Sequence, residues 1–476
     1  MTEIKKIKVG IFSIGLDTYW GQFDGLLDKL TGYLNRICSR LKKMNVDLVN
    51  AGMVDDPIKA RQTGHMFKKE NVEIIFLFVS TYALSSTVLP VVQITKTPVV
   101  IMSLQPEASI DFAALNGIKD RGVKTGIFLA NCQSCSVPEI TGVFNRAGID
   151  CGIVIGHLED DETWDRIEGW VDAARVANIM RNNRVGILGH YYNGMLDVYS
   201  DLAQQSATFG NHFEILEIDE LRSLRNLVTD KRLEHKIKQF REEFNVSDDC
   251  SADELKRAAK TSCALDDLVE IHSLGSLAYY YEGTAGSDAQ DIITSVIAGN
   301  SILTAHHVPV AGEYEIKNVQ AMKILDSFNA GGSFSEFYTI DFTDDAVLLG
   351  HDGPAHFAIA EGKVGLVPLP VYHGKPGVGL SIQMTVKHGP VTILAVVQDA
   401  SGNISLAVAE GESVPGPVLD IGNTNSRYRF AAGAKAFVEE WSKTGPSHHC
   451  AIGVGHIAHK VENLAAILKI KYSRIV

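Results

Sequence analysis

The sequence lacks a membrane-length hydrophobic run, a basic stripe and any nucleotide-cofactor fingerprint. With no stretch of about 18 consecutive apolar residues, no membrane-spanning helix is expected. Lysine and arginine number 44 against 57 acidic residues, a formal net charge of −13. Nucleic-acid binders that neutralise phosphates show the opposite balance, and acidity of this kind mainly serves solubility. The seven cysteines are odd in number and scattered, which argues against a disulfide framework. Cys132 and Cys135 form one CxxC in NCQSCSVPE. No second pair at suitable spacing completes a zinc ribbon, so reduced, structural cysteines are the preferred reading. No GxGxxG follows the first apolar run, where the chain reads GIFSIGLDTYWG, and no GxxxxGKS/T occurs. Nucleotide chemistry, and with it a nucleotide cofactor, is left without support. The start MTEIKKIKVGIFSIG has no small-residue cleavage site and reads as a first strand, which makes the cytoplasm the expected location.

What is present fits a multidomain α/β chain. The length of 476 residues suggests about three domains. Short apolar runs bounded by turn residues recur at 7–15, 46–52, 74–80, 97–104, 124–130 and 151–157. Amphipathic segments such as GQFDGLLDKLTGYLNRICSRLKKM separate them, with Phe23, Leu26, Leu30, Leu34 and Leu41 near helical spacing. Strand–helix alternation predicts a doubly wound parallel sheet. A second series follows, with strands at RVGILGH and FEILEID and a charged helical stretch over 231–260. SILTAHHVPVAGEYEIKNVQAMKILDSF then reads as strand, loop and helix. From about residue 330 the runs alternate, with Gly-Pro and Ser-Gly-Asn turns, predicting antiparallel β structure as a barrel or sandwich. The expected architecture is two Rossmann-like α/β domains, 1–174 and 175–328, followed by a β-barrel-like domain over 329–476.

Candidate ligands gather at the ends of these elements, where a scaffold positions groups and loops leave them reachable. Glu313 lies in PVAGEYEIKNV just before a helix, and Glu336 in GGSFSEFYTIDF before a strand. His351 follows in LLGHDGPAH, and His448 and His449 come after the turn in GPSHHCAIG. Taken singly, each is usually a capping carboxylate, a loop histidine or a core histidine. Together, two carboxylates and two imidazoles suit Mn²⁺, and also Co²⁺, Mg²⁺ or Fe²⁺. Zinc, with its preference for four ligands and often thiolates, ranks lower.

The segments AGEYEIKNVQAMKIL, GGSFSEFYTIDF and GPSHHCAIG resemble the metal-binding segments of the L-arabinose isomerase and L-fucose isomerase superfamily, nearer the arabinose branch. The resemblance implies the same domain order, a metal held by Glu313, Glu336, His351 and His449, and His448 as a neighbouring site histidine. His356 remains the alternative to His351, because the turn in GHDGPAH is shorter than in that branch. Met195, in YYNGMLDVYSD, matches a methionine beside the substrate. A family histidine near NCQSCSVPE is absent, with Cys135 or Ser136 in its place, and the segment GLDTYWGQF stands where the family has its sugar-contacting glutamine. The resemblance further implies trimers or hexamers in which the first domain of one subunit covers a neighbour's site.

An aldose–ketose isomerase moves a proton between C1 and C2. That proton is too weakly acidic for an unaided carboxylate; a divalent cation at O1 and O2 stabilises the enediolate charge. Glu313 and Glu336 are the candidates to shuttle the proton, and His448 to relay one between hydroxyls. Tyr19, Trp20, Tyr279 and Trp441 are candidate walls for the sugar, although Tyr279 and its neighbours read nearly as well as core aromatics. Rival readings are a metal-dependent epimerase, aldolase or hydrolase, and a non-catalytic sugar-binding protein. Arg427 and Arg429 fall on one face of an expected strand. Facing the site, they would suit an anionic sulfo- or phosphosugar; surface ion pairing is the preferred reading.

Overall fold

The computed structural model describes residues 6–370 and 378–475. The chain divides into two compact units, Met1–Asn178 and Ile179–Val476. The first holds β1 (Ile7–Ile14), β2 (Val46–Val54), β3 (Ile74–Val79), β4 (Val99–Gln105) and β5 (Cys151–His157). They form one parallel sheet in the order β2-β1-β3-β4-β5. The central strand β3 is buried at every residue, as a parallel strand covered on both faces must be. Helix Leu26–Lys43 buries Leu26, Leu30, Leu34 and Leu41, the stripe its spacing predicts.

Two expectations in this unit are corrected. The run at 124–130 is not a strand; it lies in helix Arg121–Leu129. The Asp120 side chain caps that helix by accepting from the Val123 N–H, and Val123 and Phe128 are exposed. A local cap on a half-solvated segment overrides a short apolar run. Cys132 and Cys135 are joined as a disulfide rather than reduced. The turn entering helix Ser136–Arg146 brings their Cα atoms to 6.0 Å, within bridging reach.

The second unit begins with β6 (Arg184–Gly189), β7 (His212–Leu216), β8 (Asn245–Val246), β9 (Ser276–Tyr280) and β10 (Val310–Ala311). Four of these form a parallel sheet in the order β10-β9-β6-β7. There follow β11 (Gly331–Asp341), β12 (Ala346–His351), β13 (Gly365–Leu369), β14 (Gly379–Gln383), β15 (Gly389–Gln398), β16 (Ile404–Val414), β17 (Thr424–Arg429), β18 (His449–Val454) and β19 (Lys471–Ile475). The order β15-β18-β11-β12-β17-β16, with β16 pairing back to β15, closes a six-stranded antiparallel barrel. Closure leaves the barrel strands without an open edge. β19 adds to β16 in parallel, and β8 joins β13 and β14 in a small sheet.

One expectation fails here for a related reason. SILTA is part of helix Ile297–Ala305, not a strand, and that helix is buried from Ile297 to Thr304. Burial on all sides erases the amphipathic signature that separates helix from strand. Helix Ile316–Ser327 is likewise buried from Ile316 to Asp326 and packs on β11, β15 and β18. Gly332 permits the close approach of β11: its φ is +126°, and a Cβ there would sit 2.6 Å from the Met322 carbonyl oxygen. Among the described residues, no helix is long and apolar enough to cross a membrane.

Candidate metal centre and active site

The site forms where the carboxyl ends of the parallel strands in the second unit meet one end of the barrel. Ligands bind at such strand ends in open parallel sheets. Beyond β10 the chain passes through Gly312 to Glu313 and Tyr314, whose φ values are +56° and +57°. Two consecutive left-handed residues other than glycine are costly, roughly 1–2 kcal/mol each. The turn is held by Tyr314 N–H donating to the Tyr279 carbonyl at 3.0 Å and Glu315 N–H to that of Gly312 at 3.0 Å. This strained turn aims Glu313 at the barrel.

The barrel supplies the other groups through register. Glu336 on β11 pairs with His449 on β18 and with Gly350 on β12, next to His351. Directly paired residues of antiparallel strands present their side chains on the same face, so Glu336 and His449 meet. Phe334 wedges the imidazoles in place, its ring centroid 4.4 Å from that of His351 and 4.4 Å from that of His449.

The result is one cluster. Glu313 Oε2 lies 3.4 Å from His449 Nε2 and 3.6 Å from His448 Nε2. His351 Nε2 is 3.9 Å from Glu313 Oε1, and His448 Nε2 is 3.9 Å from Glu336 Oε2. Two sets of ligand atoms share His449: Glu313 with His448 and His449, and Glu336 with His351 and His449, each within 4.8 Å. Burial pushes the Glu313 carboxyl up, but the nearby imidazoles of His448, His351 and His449 outweigh it and leave it below the usual range. Glu336 is raised, by burial first and by the charge of Glu313. Burial lowers His448, yet Glu313 and Asp197 overcome it and hold its pKa up at about 9.

This donor set fits a divalent cation. His449 is 1% exposed, and neither of its ring nitrogens has a hydrogen-bond partner; nor does Glu313 Oε2. Buried polar atoms left in this state are costly unless something further satisfies them. Hard carboxylate oxygens mixed with imidazole nitrogens suit Mn²⁺-type ions.

A cavity of about 370 Å³ opens over the cluster, lined by Met195, Tyr192, Tyr279, Tyr338, Glu313, Glu336, His351 and His448 among others. Met195 and Tyr279 are both among the lining residues. His356 does not reach the cluster; its Nε2 faces Asp326 at 3.8 Å. Trp441 is a correction. It is 2% exposed in the barrel core, packed on Phe437 and Phe337, and does not line the cavity. Tyr19 and Trp20 belong to the first unit. There they pack with Phe23 beside Leu26 and Leu30, and Trp20 Nε1 donates to Asp55 Oδ2 at 2.7 Å.

Besides the cavity tyrosines Tyr192 and Tyr338, Asp197 and Glu315 escaped the sequence reading. Asp197 Oδ2 accepts from His448 Nδ1 at 2.6 Å and from His448 N–H at 2.9 Å. Glu315 is fully buried, with Oε2 3.5 Å from His449 Nδ1. Glu315 sits two residues from a candidate ligand, which is a signal of sorts. Nothing in sequence spacing sets residue 197 against residue 448.

No family model matches the chain. Curated relatives do. An L-arabinose isomerase of Shewanella baltica is 22% identical over 314 residues, 63% of this chain and 61% of that protein. One from Thermotoga maritima is 23% identical, covering 67% of this chain and 65% of its own length. A third, from Herpetosiphon aurantiacus, is 21% identical over 70% of this chain and 68% of its own. The chain therefore spans less than two thirds of the length of the first two. A solved solute-binding protein of an ABC transporter from Burkholderia multivorans is 14% identical, covers 64% of this chain and 97% of its own, and has a TM-score of 0.16; at that score the likeness carries no argument. From the three isomerase alignments, the chain is a distant, L-arabinose isomerase-like relative of those enzymes.

Proposed function

We propose that this protein is a metal-dependent aldose–ketose isomerase acting on a monosaccharide. The observation that carries the reading is the carboxylate–imidazole cluster that lines the cavity, and the distant isomerase relatives support it. Glu313, Glu336, His351 and His449 would hold the cation. Bound there, it would polarise the sugar carbonyl and stabilise the enediolate. Glu313 and Glu336 border the cavity and carry the proton between C1 and C2. His448 Nε2 faces both carboxylates and moves a proton between the O1 and O2 hydroxyls. Tyr192, Tyr279 and Met195 wall the cavity and orient the sugar while excluding water.

A neutral sugar suits this cavity better than an anionic one. Arg427 is 3% exposed and tied to Asp341 at 3.0 Å and Asp344 at 2.7 Å. Arg429 donates to the Asp344 carbonyl oxygen. Among the described residues that line the cavity there is no lysine or arginine. We further propose a homotrimer or homohexamer with shared sites, in which the first unit of one subunit, through Tyr19 and Trp20, completes the site of another.

A panel of neutral and anionic aldoses, supplied with Mn²⁺, tests the activity. A neutral aldose should be converted, and chelation should abolish conversion. Glu313→Gln and Glu336→Gln should each lower turnover by at least about 10²–10⁴-fold. Near-normal turnover by either variant would remove that residue from the chemistry.

A further inference from the structure

His448 is the exposed member of the histidine pair, its ring tilted against that of His449 with centroids 3.8 Å apart. A ring on the first accessible position before a strand has several staggered orientations open to it. The one it adopts puts Nε2 3.6 Å from Glu313 Oε2 and 3.9 Å from Glu336 Oε2. The opposite ring nitrogen is held by one group, the Asp197 carboxylate, at 2.6 Å. The same oxygen also accepts from the His448 backbone N–H at 2.9 Å. One carboxylate oxygen therefore fixes both the backbone and the ring of this residue.

Asp197 is itself anchored through its main chain. Its carbonyl oxygen accepts from Lys317 Nζ, at the start of the buried helix Ile316–Ser327, and from Ser447 Oγ at 3.3 Å. It sits in the short helical turn Leu196–Val198, directly after Met195, which lines the cavity. Substituting the Asp197 side chain leaves both main-chain anchors in place. The carboxylate is thus free to serve a purpose other than holding the loop.

We propose that Asp197 is a positioning residue for the isomerase site: it accepts the Nδ1 proton of His448 and so keeps Nε2 turned to the cavity. The inference rests on the role given to His448 above. A carboxylate behind an imidazole fixes ring orientation and which nitrogen is presented. Loss of that hold displaces a proton-transferring group, and small displacements of such groups cost about 10²-fold in rate.

The test has two arms. In the metal-free protein, proton NMR should show a downfield imidazole N–H that vanishes in His448→Asn, identifying it, and vanishes also in Asp197→Ala. In turnover with Mn²⁺, Asp197→Ala should lower kcat by about 10²-fold, with KM for the aldose and Mn²⁺ affinity changed only a few-fold. Asp197→Asn should retain more activity, since its amide oxygen still accepts. Added to His448→Asn, Asp197→Ala should cost nothing further. Wild-type kcat in Asp197→Ala, an equal loss in the His448→Asn background, or survival of the downfield signal would each overturn the proposal. Wild-type turnover in His448→Asn would instead overturn the reading of the site, while the NMR arm still decides the tether.

Discussion

His449 cannot satisfy its own imidazole: it is buried, and neither ring nitrogen has a hydrogen-bond partner. At the residue scale this is the strongest argument for a cation, because desolvating such a ring without compensation is costly. Replacing His351 with Asn should abolish Mn²⁺ binding by calorimetry, whereas His356→Asn should leave the affinity within a few-fold; the reverse pattern would move the ligand assignment to His356. Singly, each candidate ligand had an ordinary structural reading in the sequence; the resemblance of three segments grouped them, and the structure brings Glu313, Glu336, His351, His448 and His449 together. Aromatics were less so. Tyr279 and Trp441 looked alike in sequence, yet one walls the cavity and the other fills the barrel core. The same apolar ring serves either purpose, and only tertiary packing separates them. Asp197 was illegible because its partner lies 251 residues away.

Among the elements, most parallel strands and the shift to antiparallel structure near residue 330 could be read from turn residues and apolar alternation. The errors at 124–130 and at SILTA share a cause: a short apolar run has no period long enough to distinguish helix from strand. The alternating runs read as a barrel or a sandwich, and the pairing of β16 with both β15 and β17 decides for the barrel. The glycines that open β11 have a purpose that only the fold reveals. Gly332→Ala should destabilise the protein by at least about 1–2 kcal/mol from its positive φ alone. The clash with the Met322 carbonyl oxygen should also shift β11, and Glu336 with it. Urea unfolding and Mn²⁺ affinity should both register the change, and an unaltered midpoint with normal affinity would show that the strand tolerates a Cβ there.

For the whole molecule, we propose that the chain beyond residue 174 comprises two domains, 175–328 and 329–476, with the chemistry at their junction. Helix Asp161–Arg181 runs through the expected start of the central domain. Subunit sharing makes its own prediction. Mixing the inactive variants Trp20→Ala and Glu336→Gln under conditions of subunit exchange should restore part of the activity, because some mixed sites carry neither lesion. No recovery, or a fully active monomer by light scattering, would remove the shared-site arrangement. The central claim, a metal-dependent proton transfer between sugar carbons, is most directly tested in D₂O. Protein stripped of metal and refilled with Mn²⁺ should convert an aldose to its ketose with deuterium entering at C1, in an amount set by exchange at the shuttling carboxylate. The stripped protein should do neither. Conversion that persists without any divalent cation, or a complete lack of conversion and exchange across neutral aldoses with Mn²⁺ bound, would contradict it.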